Sequence, residues 1–334
     1  MKSSLNKILI IGGEGYIGSV VVNYFLEKGL KVDSFDNLTY KNFNNVVTNN
    51  YNKNYKFIYG EMSEIDSLVK FKDYSHIILL AGLVGDPITK KYKDLSIKIN
   101  ENQISNIISK IKNINLNFIF SSTCSNYGLR DDLSPASESD KLKPLSTYAK
   151  SKVFIEKKIL SLAEKSNFIP TIFRFSTAFG LSPRMRFDLT INQFTREIAL
   201  DRKLKIYDKD TWRPYCHVRD FANILYQCVT IEDEKKIKFE VFNVGIDENN
   251  ASKSEIINRI SKLKKNIKIE ISNESLDKRN YVVDFSKLKN VFSVEEFLSI
   301  EFGILEIFNM VSKNIFTDSE TSEKYGNYMV SNIE

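Results

Sequence analysis

Cysteine and histidine are scarce in this 334-residue chain, with three of the former and two of the latter. Cys124, Cys216 and Cys228 are odd in number and none belongs to a Cys-x-x-Cys pair. A disulfide framework or a structural zinc site is therefore not expected. His76 and His217 stand in strand-like or strand-end contexts, so two structural histidines are expected and no metal. No apolar run is long enough to span a membrane, and Met1-Lys2-Ser3-Ser4 leads toward the first strand without the apolar region of a signal peptide. We expect a soluble, cytoplasmic chain with no membrane partner. The net charge is +6, yet the lysines are dispersed among Asp and Glu and form no long basic block. That pattern reads as a solvated surface and not as a nucleic-acid footprint. There is no internal repeat and no low-complexity linker.

What is present begins with Ile8-Leu9-Ile10-Ile11, an apolar run rich in β-branched residues that reads as a buried strand. Gly12, Gly15 and Gly18 follow at even spacing around Tyr16 and Ile17, and Val20-Val21-Val22 opens a helical pattern. Strand, glycine turn and helix in that order build a cradle for a dinucleotide pyrophosphate. The first glycine allows the tight turn, the second lets phosphate approach the backbone, and the third lets helix and strand pack closely. The helix N-terminus supplies free N–H groups and partial positive charge. A second apolar run, Leu30 to Phe35, ends in Asp36-Asn37. A carboxylate there accepts hydrogen bonds from ribose hydroxyls and repels a 2′-phosphate, which favours NAD over NADP. The plainer alternative is a solvated loop acid.

Apolar strand-like runs recur at 57–59, 77–80, 118–120 and 171–175, with helical patterns from Ile97 to Ile111 and from Tyr148 to Leu162. This alternation predicts an α/β fold with a doubly wound parallel sheet of Rossmann type and ligands at the carboxyl ends of its strands. Beyond Phe179 the alternation weakens, broken by Ser182-Pro183-Arg184 and Thr211-Trp212-Arg213-Pro214. A smaller mixed α/β substrate-binding domain is expected there. The expected division is 1–178 with 216–245 for the dinucleotide domain, and 179–215 with 246–317 for the smaller one. Residues 318–334 are polar and read as a loosely attached C-terminal tail.

Tyr148 and Lys152 lie four apart, on one face of a helix. A neighbouring ammonium and the positive nicotinamide of NAD⁺ favour a phenolate, which can take a proton from a substrate hydroxyl. Tyr24 and Lys28 share the spacing, so the pair gains meaning only from its surroundings. These are Phe118-Ile119-Phe120-Ser121-Ser122-Thr123-Cys124-Ser125-Asn126-Tyr127-Gly128, a strand that runs into a hydroxyl cluster.

With the glycine triplet, Asp36-Asn37-Leu38, Leu80-Ala81-Gly82 and Trp212 to Asp220, the chain resembles the extended short-chain dehydrogenase/reductase family in its NAD-dependent nucleotide-sugar epimerase/dehydratase branch. The resemblance implies NAD held by Gly12, Gly15, Tyr16, Ile17, Gly18, Asp36, Asn37, Ala81, Gly82, Tyr148 and Lys152. It implies Thr123, Tyr148 and Lys152 as catalytic residues. It further implies a nucleoside diphosphate sugar as partner, contacted by Thr177, Asn192, Arg213 and Arg279, and a homodimer formed through the two long helices. Two places depart from the pattern. Gly60-Glu61-Met62 stands where many relatives have Gly-Asp, and Cys124-Ser125 stands where sugar 4,6-dehydratases carry Asp-Glu after the catalytic Thr.

The expected activity is hydride transfer at C4 of the sugar, with Tyr148 as base and epimerisation as the outcome. A 4-dehydrogenase or ketoreductase uses the same machinery. A 4,6-dehydratase fits less well, and so does a non-enzymatic NAD(H) sensor, which has no need of Thr123, Tyr148 and Lys152.

Overall fold

A computed structural model describes residues 7–130, 132–163, 165–272, 279–316, 324–327 and 330. Its strands, in chain order, are β1 (Ile8–Ile11), β2 (Val32–Asp36), β3 (Tyr55–Tyr59), β4 (His76–Leu79), β5 (Asn117–Thr123), β6 (Ile169–Phe175), β7 (Thr177–Phe179), β8 (Leu204–Tyr207), β9 (Trp212–His217), β10 (Glu240–Val244), β11 (Asn250–Ser252) and β12 (Ile269–Ser272). Seven of them form one sheet in the order β10-β6-β5-β4-β1-β2-β3. All of its pairings are parallel.

The chain winds outward from β1 in both directions, so the topological switch lies between β1 and β4. That is where a parallel α/β sheet opens a ligand crevice. Alternate residues of each strand feed opposite cores, as the two-residue period of a strand requires. Ile8 and Ile10 join Val21, Phe25, Ile119, Phe173 and Phe221 on one face. Leu9 and Ile11 join Phe35, Ile77, Phe118, Ile108 and Ile155 on the other. Both faces are covered, which explains why these strands read as continuous apolar runs. The chain later returns to this sheet: helix Val218–Thr230 lies against helix Gly18–Glu27, and β10 pairs with β6.

Two small sheets, β11-β9-β7 and β12-β8, build the second half with helices Thr190–Ala199, Lys253–Ser261 and Ile300–Ser312. They enclose a separate core of Phe179, Ile191, Ile206, Tyr215, Ile256 and Ile304.

Two expectations change. The pattern from Ile97 to Ile111 is not one regular helix but Lys93–Ile97, a π-helical turn at Lys98–Gln103, and Ile104–Ile111. The wide turn carries the buried Asn100, whose Oδ1 accepts from the Leu83 N–H and whose Nδ2 donates to the Leu83 carbonyl, both at 2.9 Å. A π turn of this kind commonly marks a functional position, and here it anchors the loop after β4.

The expected loose tail is also corrected where it is described. Tyr325 is buried beside Phe187 and Phe316. The Gly326 carbonyl accepts from Arg184, and Asn327 donates to the Val84 carbonyl. Apolar burial and backbone hydrogen bonds hold this stretch, although its composition is polar. The rest of 317–334 lies outside the described residues, apart from Lys324 and Val330.

Candidate active site

A cleft of about 390 Å³ runs along the carboxyl ends of the main strands. One end is made of backbone. Gly12 has φ +86°, and a Cβ on it would stand 2.5 Å from the Ala81 nitrogen. A Cβ on Gly18 would stand 2.1 Å from the Gly12 carbonyl oxygen. Only glycine permits either approach. The turn at 15–18 that leads into helix Gly18–Glu27 therefore lines the cleft with almost bare backbone, while the Ser19, Val20 and Val21 N–H groups are bonded to the Gly15 and Ile17 carbonyls.

Asp36 closes β2 beside this turn and lines the cleft with Asn37. Its carboxylate accepts from the Glu14 N–H at 3.0 Å and the Leu38 N–H at 2.8 Å. Burial pushes its pKa up to about 6; the two backbone N–H groups oppose that shift and the neighbouring Glu14 adds to it. Glu61, at the departure from the family pattern, accepts from Asn37 at 2.9 Å and lines the same end.

The other end is made of side chains from distant segments. Ser146 accepts from the Ala149 N–H at 3.2 Å and starts helix Thr147–Leu160. That helix brings Tyr148 and Lys152 to the cleft together. The Lys152 Nζ lies 4.7 Å from the centre of the Phe120 ring and 5.7 Å from that of Tyr148, and it donates to the Ser121 carbonyl at 2.6 Å. Burial pulls its pKa down to about 7, while Glu156, one turn on, opposes that shift. Burial holds the Tyr148 phenol well above its usual pKa. Asp86 reinforces this and Arg186 opposes it. A cation brought into the cleft acts in the same sense as Arg186.

Thr123 ends β5, and its Oγ1 accepts from the Ser125 N–H at 3.1 Å. Beneath it the buried Glu156–Arg174 pair, at 2.8 Å, braces the strand end with Ser122, Asn126 and Tyr127. Cys124 is no acid or base here. Burial raises its thiol pKa to about 12, and the thiol donates to the Arg174 carbonyl at 3.1 Å.

Most of the sequence-predicted site residues converge on this cleft. Gly12, Gly15, Tyr16, Ile17, Gly18, Asp36, Asn37, Ala81, Gly82, Thr123, Tyr148, Lys152, Thr177, Arg213 and Arg279 all line it. Asn192 does not. It is fully buried, its Oδ1 accepts from the Gly180 N–H, and its Nδ2 donates to the Tyr16 hydroxyl and the Arg186 carbonyl. Every polar atom is used inside the protein, so Asn192 braces the loop and does not face a ligand. Arg213 donates to the Trp212 and Arg279 carbonyls and stacks on Tyr281. It therefore shapes the segment that presents Arg279. His217 accepts from the Arg219 N–H and bonds to Glu306, and His76 bonds to Asn117; both histidines act as structural groups.

Sequence reasoning missed Tyr40, Asp86, Arg184 and Arg186. The Arg184 guanidinium lies 4.4 Å from the centre of the Tyr40 ring, at the Asp36 end. Burial lowers its pKa to about 10. Its Nε and the Tyr40 hydroxyl are buried in the cleft lining with no hydrogen-bond partner. Buried polar groups are normally satisfied, and a bound diphosphate offers them acceptor oxygens. The backbone cradle, the acid at the tip of β2 and these two unsatisfied groups together fit a dinucleotide such as NAD.

Fold and cleft define an oxidoreductase-type dinucleotide site with a tyrosine–lysine pair. Comparison with known proteins agrees: residues 8–245 match the NAD dependent epimerase/dehydratase family. The chain belongs to that family, whose enzymes are of the extended short-chain dehydrogenase/reductase type. It is 23% identical to a UDP-glucose 4-epimerase of Corynebacterium glutamicum, over 72% of this chain and 75% of the relative. It is 26% identical to a dTDP-4-dehydro-6-deoxyglucose reductase of Escherichia coli, over 74% of this chain and 79% of the relative. The structure of UDP-glucuronic acid 4-epimerase from Bacillus cereus, in complex with UDP-glucuronic acid and NAD, is similar with a TM-score of 0.80 at 21% identity. That match covers 93% of this chain and all of the other.

Proposed function

We propose that this protein is an NAD-dependent nucleotide-sugar epimerase that works by oxidation and reduction at C4 of the sugar. The observation that carries the reading is the convergence of Thr123, Tyr148 and Lys152 at one end of a cleft whose other end is a dinucleotide cradle. NAD, when bound, accepts and returns the hydride. Gly12 to Gly18 would hold its pyrophosphate, Asp36 its adenosine ribose, and Lys152 the nicotinamide ribose.

The chain's own part is proton handling. Tyr148 takes the proton of the C4 hydroxyl and later returns it. Thr123 holds the same hydroxyl and shortens the path. Lys152 and the positive cofactor lower the cost of a phenolate that burial otherwise opposes. Thr177 and Arg279, kept in place by Arg213, serve the diphosphate side of the substrate; guanidinium forks suit phosphate oxygens. The second reading, a 4-dehydrogenase or ketoreductase, uses the same residues and draws support from the likeness to the Escherichia coli reductase.

The protein is further proposed to be a cytoplasmic homodimer. The segments around Ile104–Ile111 and Thr147–Leu160 lie side by side, and Phe154 is exposed on the second. A monomer by light scattering at micromolar concentration overturns the dimer. The test of function is to incubate the NAD-loaded protein with a panel of nucleotide sugars and follow the products by NMR. Interconversion of C4 epimers supports epimerisation. Accumulation of a 4-keto sugar supports the second reading, and no turnover of any nucleotide sugar overturns both.

A further inference from the structure

The loop after β4 leads into helix Asp86–Lys91, whose first residue puts a carboxylate where the reading above places the sugar. Asp86 lines the cleft, and its charge reaches the Tyr148 phenol. One oxygen, Oδ2, pairs with the Arg279 Nη2 at 2.6 Å. The other, Oδ1, is buried and accepts no hydrogen bond. Arg279 also donates to the Ser125 hydroxyl at 3.3 Å, two residues beyond Thr123. Asp86, Arg279 and Ser125 thus form one chain of contacts beside the catalytic group, joining the β4 loop to the second half of the molecule.

The position is held firmly. Asn100 clamps Leu83 from both sides, and Asn327 donates to the Val84 carbonyl. The other cations at this end have partners of their own. Arg186 is bonded through two nitrogens to Asp188, at 2.9 and 2.5 Å, and Lys152 donates to the Ser121 carbonyl. Among the described residues lining the cleft, the carboxylates are Asp36 and Glu61 at the ribose end and Asp86 at the catalytic end.

We infer that Asp86 sets sugar specificity: it admits a nucleoside diphosphate sugar with neutral or amino substituents and rejects one that carries a carboxylate. The inference rests on the nucleotide-sugar reading and extends it. An acceptor without a donor is costly when buried, and a sugar hydroxyl or ammonium supplies that donor while leaving the Asp86–Arg279 pair intact. A uronic acid has two choices, both poor. It faces Asp86 directly, or it displaces Asp86 from Arg279 and leaves that half-buried carboxylate without its cation. Discrimination then comes from a repulsive element built into the site. The likeness to a structure that contains UDP-glucuronic acid, at 21% identity, speaks to the fold alone.

The experiment measures binding to the NAD-loaded protein by calorimetry. The ligands are UDP-glucose, UDP-glucuronic acid, dTDP-glucose, dTDP-glucuronic acid, UDP and dTDP. On whichever nucleotide binds, the hexose should bind at least about tenfold more tightly than the uronate. Asp86→Asn should narrow that gap to about threefold or less by tightening the uronate, and Asp86→Glu should keep it. Asp86→Asn should also move the lower limb of the turnover–pH profile to lower pH, because it removes a charge that opposes the Tyr148 phenolate. Asp86→Ser repeats the test should Asp86→Asn disturb the loop. Equal binding of hexose and uronate, or an unchanged gap in both Asp86→Asn and Asp86→Ser, overturns the inference and leaves the nucleotide-sugar reading standing. Failure of every nucleotide and nucleotide sugar to bind overturns that reading, and the inference with it.

Discussion

The two ends of the cleft are built differently. At the ribose end a single stretch from Ile8 to Gly18 does most of the work, and it does so with backbone. Positive φ at Gly12 and the close contact at Gly18 create the cradle, with Asp36 one strand away. At the catalytic end no stretch suffices. Thr123 comes from β5, Tyr148 and Lys152 from one helix, Asp86 from the start of the short helix Asp86–Lys91, Thr177 from β7, and Arg279 from a segment held by Arg213. A site made of backbone tolerates change in its side chains but not in its glycines. A site made of side chains changes its ligand with one substitution. The contrast suits a family in which one cofactor serves many sugars.

The sharpest way to break that contrast is to remove chemistry from one end only. Tyr148→Phe keeps the ring and deletes the proton acceptor. Turnover should fall by about 10³-fold, in the upper range of what a positioned acid–base group contributes. NAD affinity should stay within about threefold, since the cradle at the other end is untouched. Retention of near wild-type turnover would remove Tyr148 from the mechanism. Thr123→Val, which deletes a relay and not the base, should cost about 10²-fold. Because Thr123 also accepts from the Ser125 N–H, melting curves must accompany the kinetics. A loss in kcat without a loss in Tm separates the relay from the brace.

The opposite intervention acts on the ribose end. Asp36 should favour NAD over NADP by about tenfold or more at pH 8, through repulsion of the 2′-phosphate. Its pKa is raised to about 6, so the repelling carboxylate is present above that pH and is protonated below it. The NAD preference should therefore be fullest above pH 7 and shrink on acidification to pH 5. Titration of cofactor-stripped protein at the two pH values checks this. Tighter binding of NADP than of NAD at pH 8 contradicts the assignment.

The same contrast explains what could be read from sequence. The cradle, the strand alternation and the tyrosine–lysine pair are local patterns, and local patterns survive in one dimension. The main-sheet strands lie within two residues of the apolar runs, except β5, which continues three residues past 120, because both faces of that sheet are buried, which leaves runs of Val, Ile, Leu and Phe. The single helix expected over Ile97–Ile111 could not reveal its π turn, because the turn exists to serve Leu83 in a distant loop. Asn192 looked like a ligand group because an Asn near a helix start is polar and well placed. Only the fold shows that Gly180, Tyr16 and Arg186 take up all its capacity. Asp86 and Arg184 were invisible for the converse reason: each becomes meaningful only through a partner far along the chain, Arg279 for one and Tyr40 for the other.

The smallest expected effect concerns Cys124 and bears on which reaction the catalytic end can run. A 4,6-dehydratase must remove the C5 proton and expel the C6 hydroxyl, which needs a base and an acid beyond Tyr148. Relatives of that kind carry Asp-Glu where this chain has Cys124-Ser125. The thiol is no substitute. Its pKa is raised to about 12, it is almost fully buried, and its proton is directed at the Arg174 carbonyl. A thiol in that setting is inert. Asp86 is then the one carboxylate at this end among the described lining residues, and Arg279 holds it. Cys124→Ala should thus leave turnover within about twofold of wild type, and no product should show the new methyl signal of a 4-keto-6-deoxy sugar by NMR. A tenfold loss in the alanine variant, or a methyl signal growing at catalytic rates, means that an acid and a base operate at this end that the contacts of Cys124 and Asp86 do not account for.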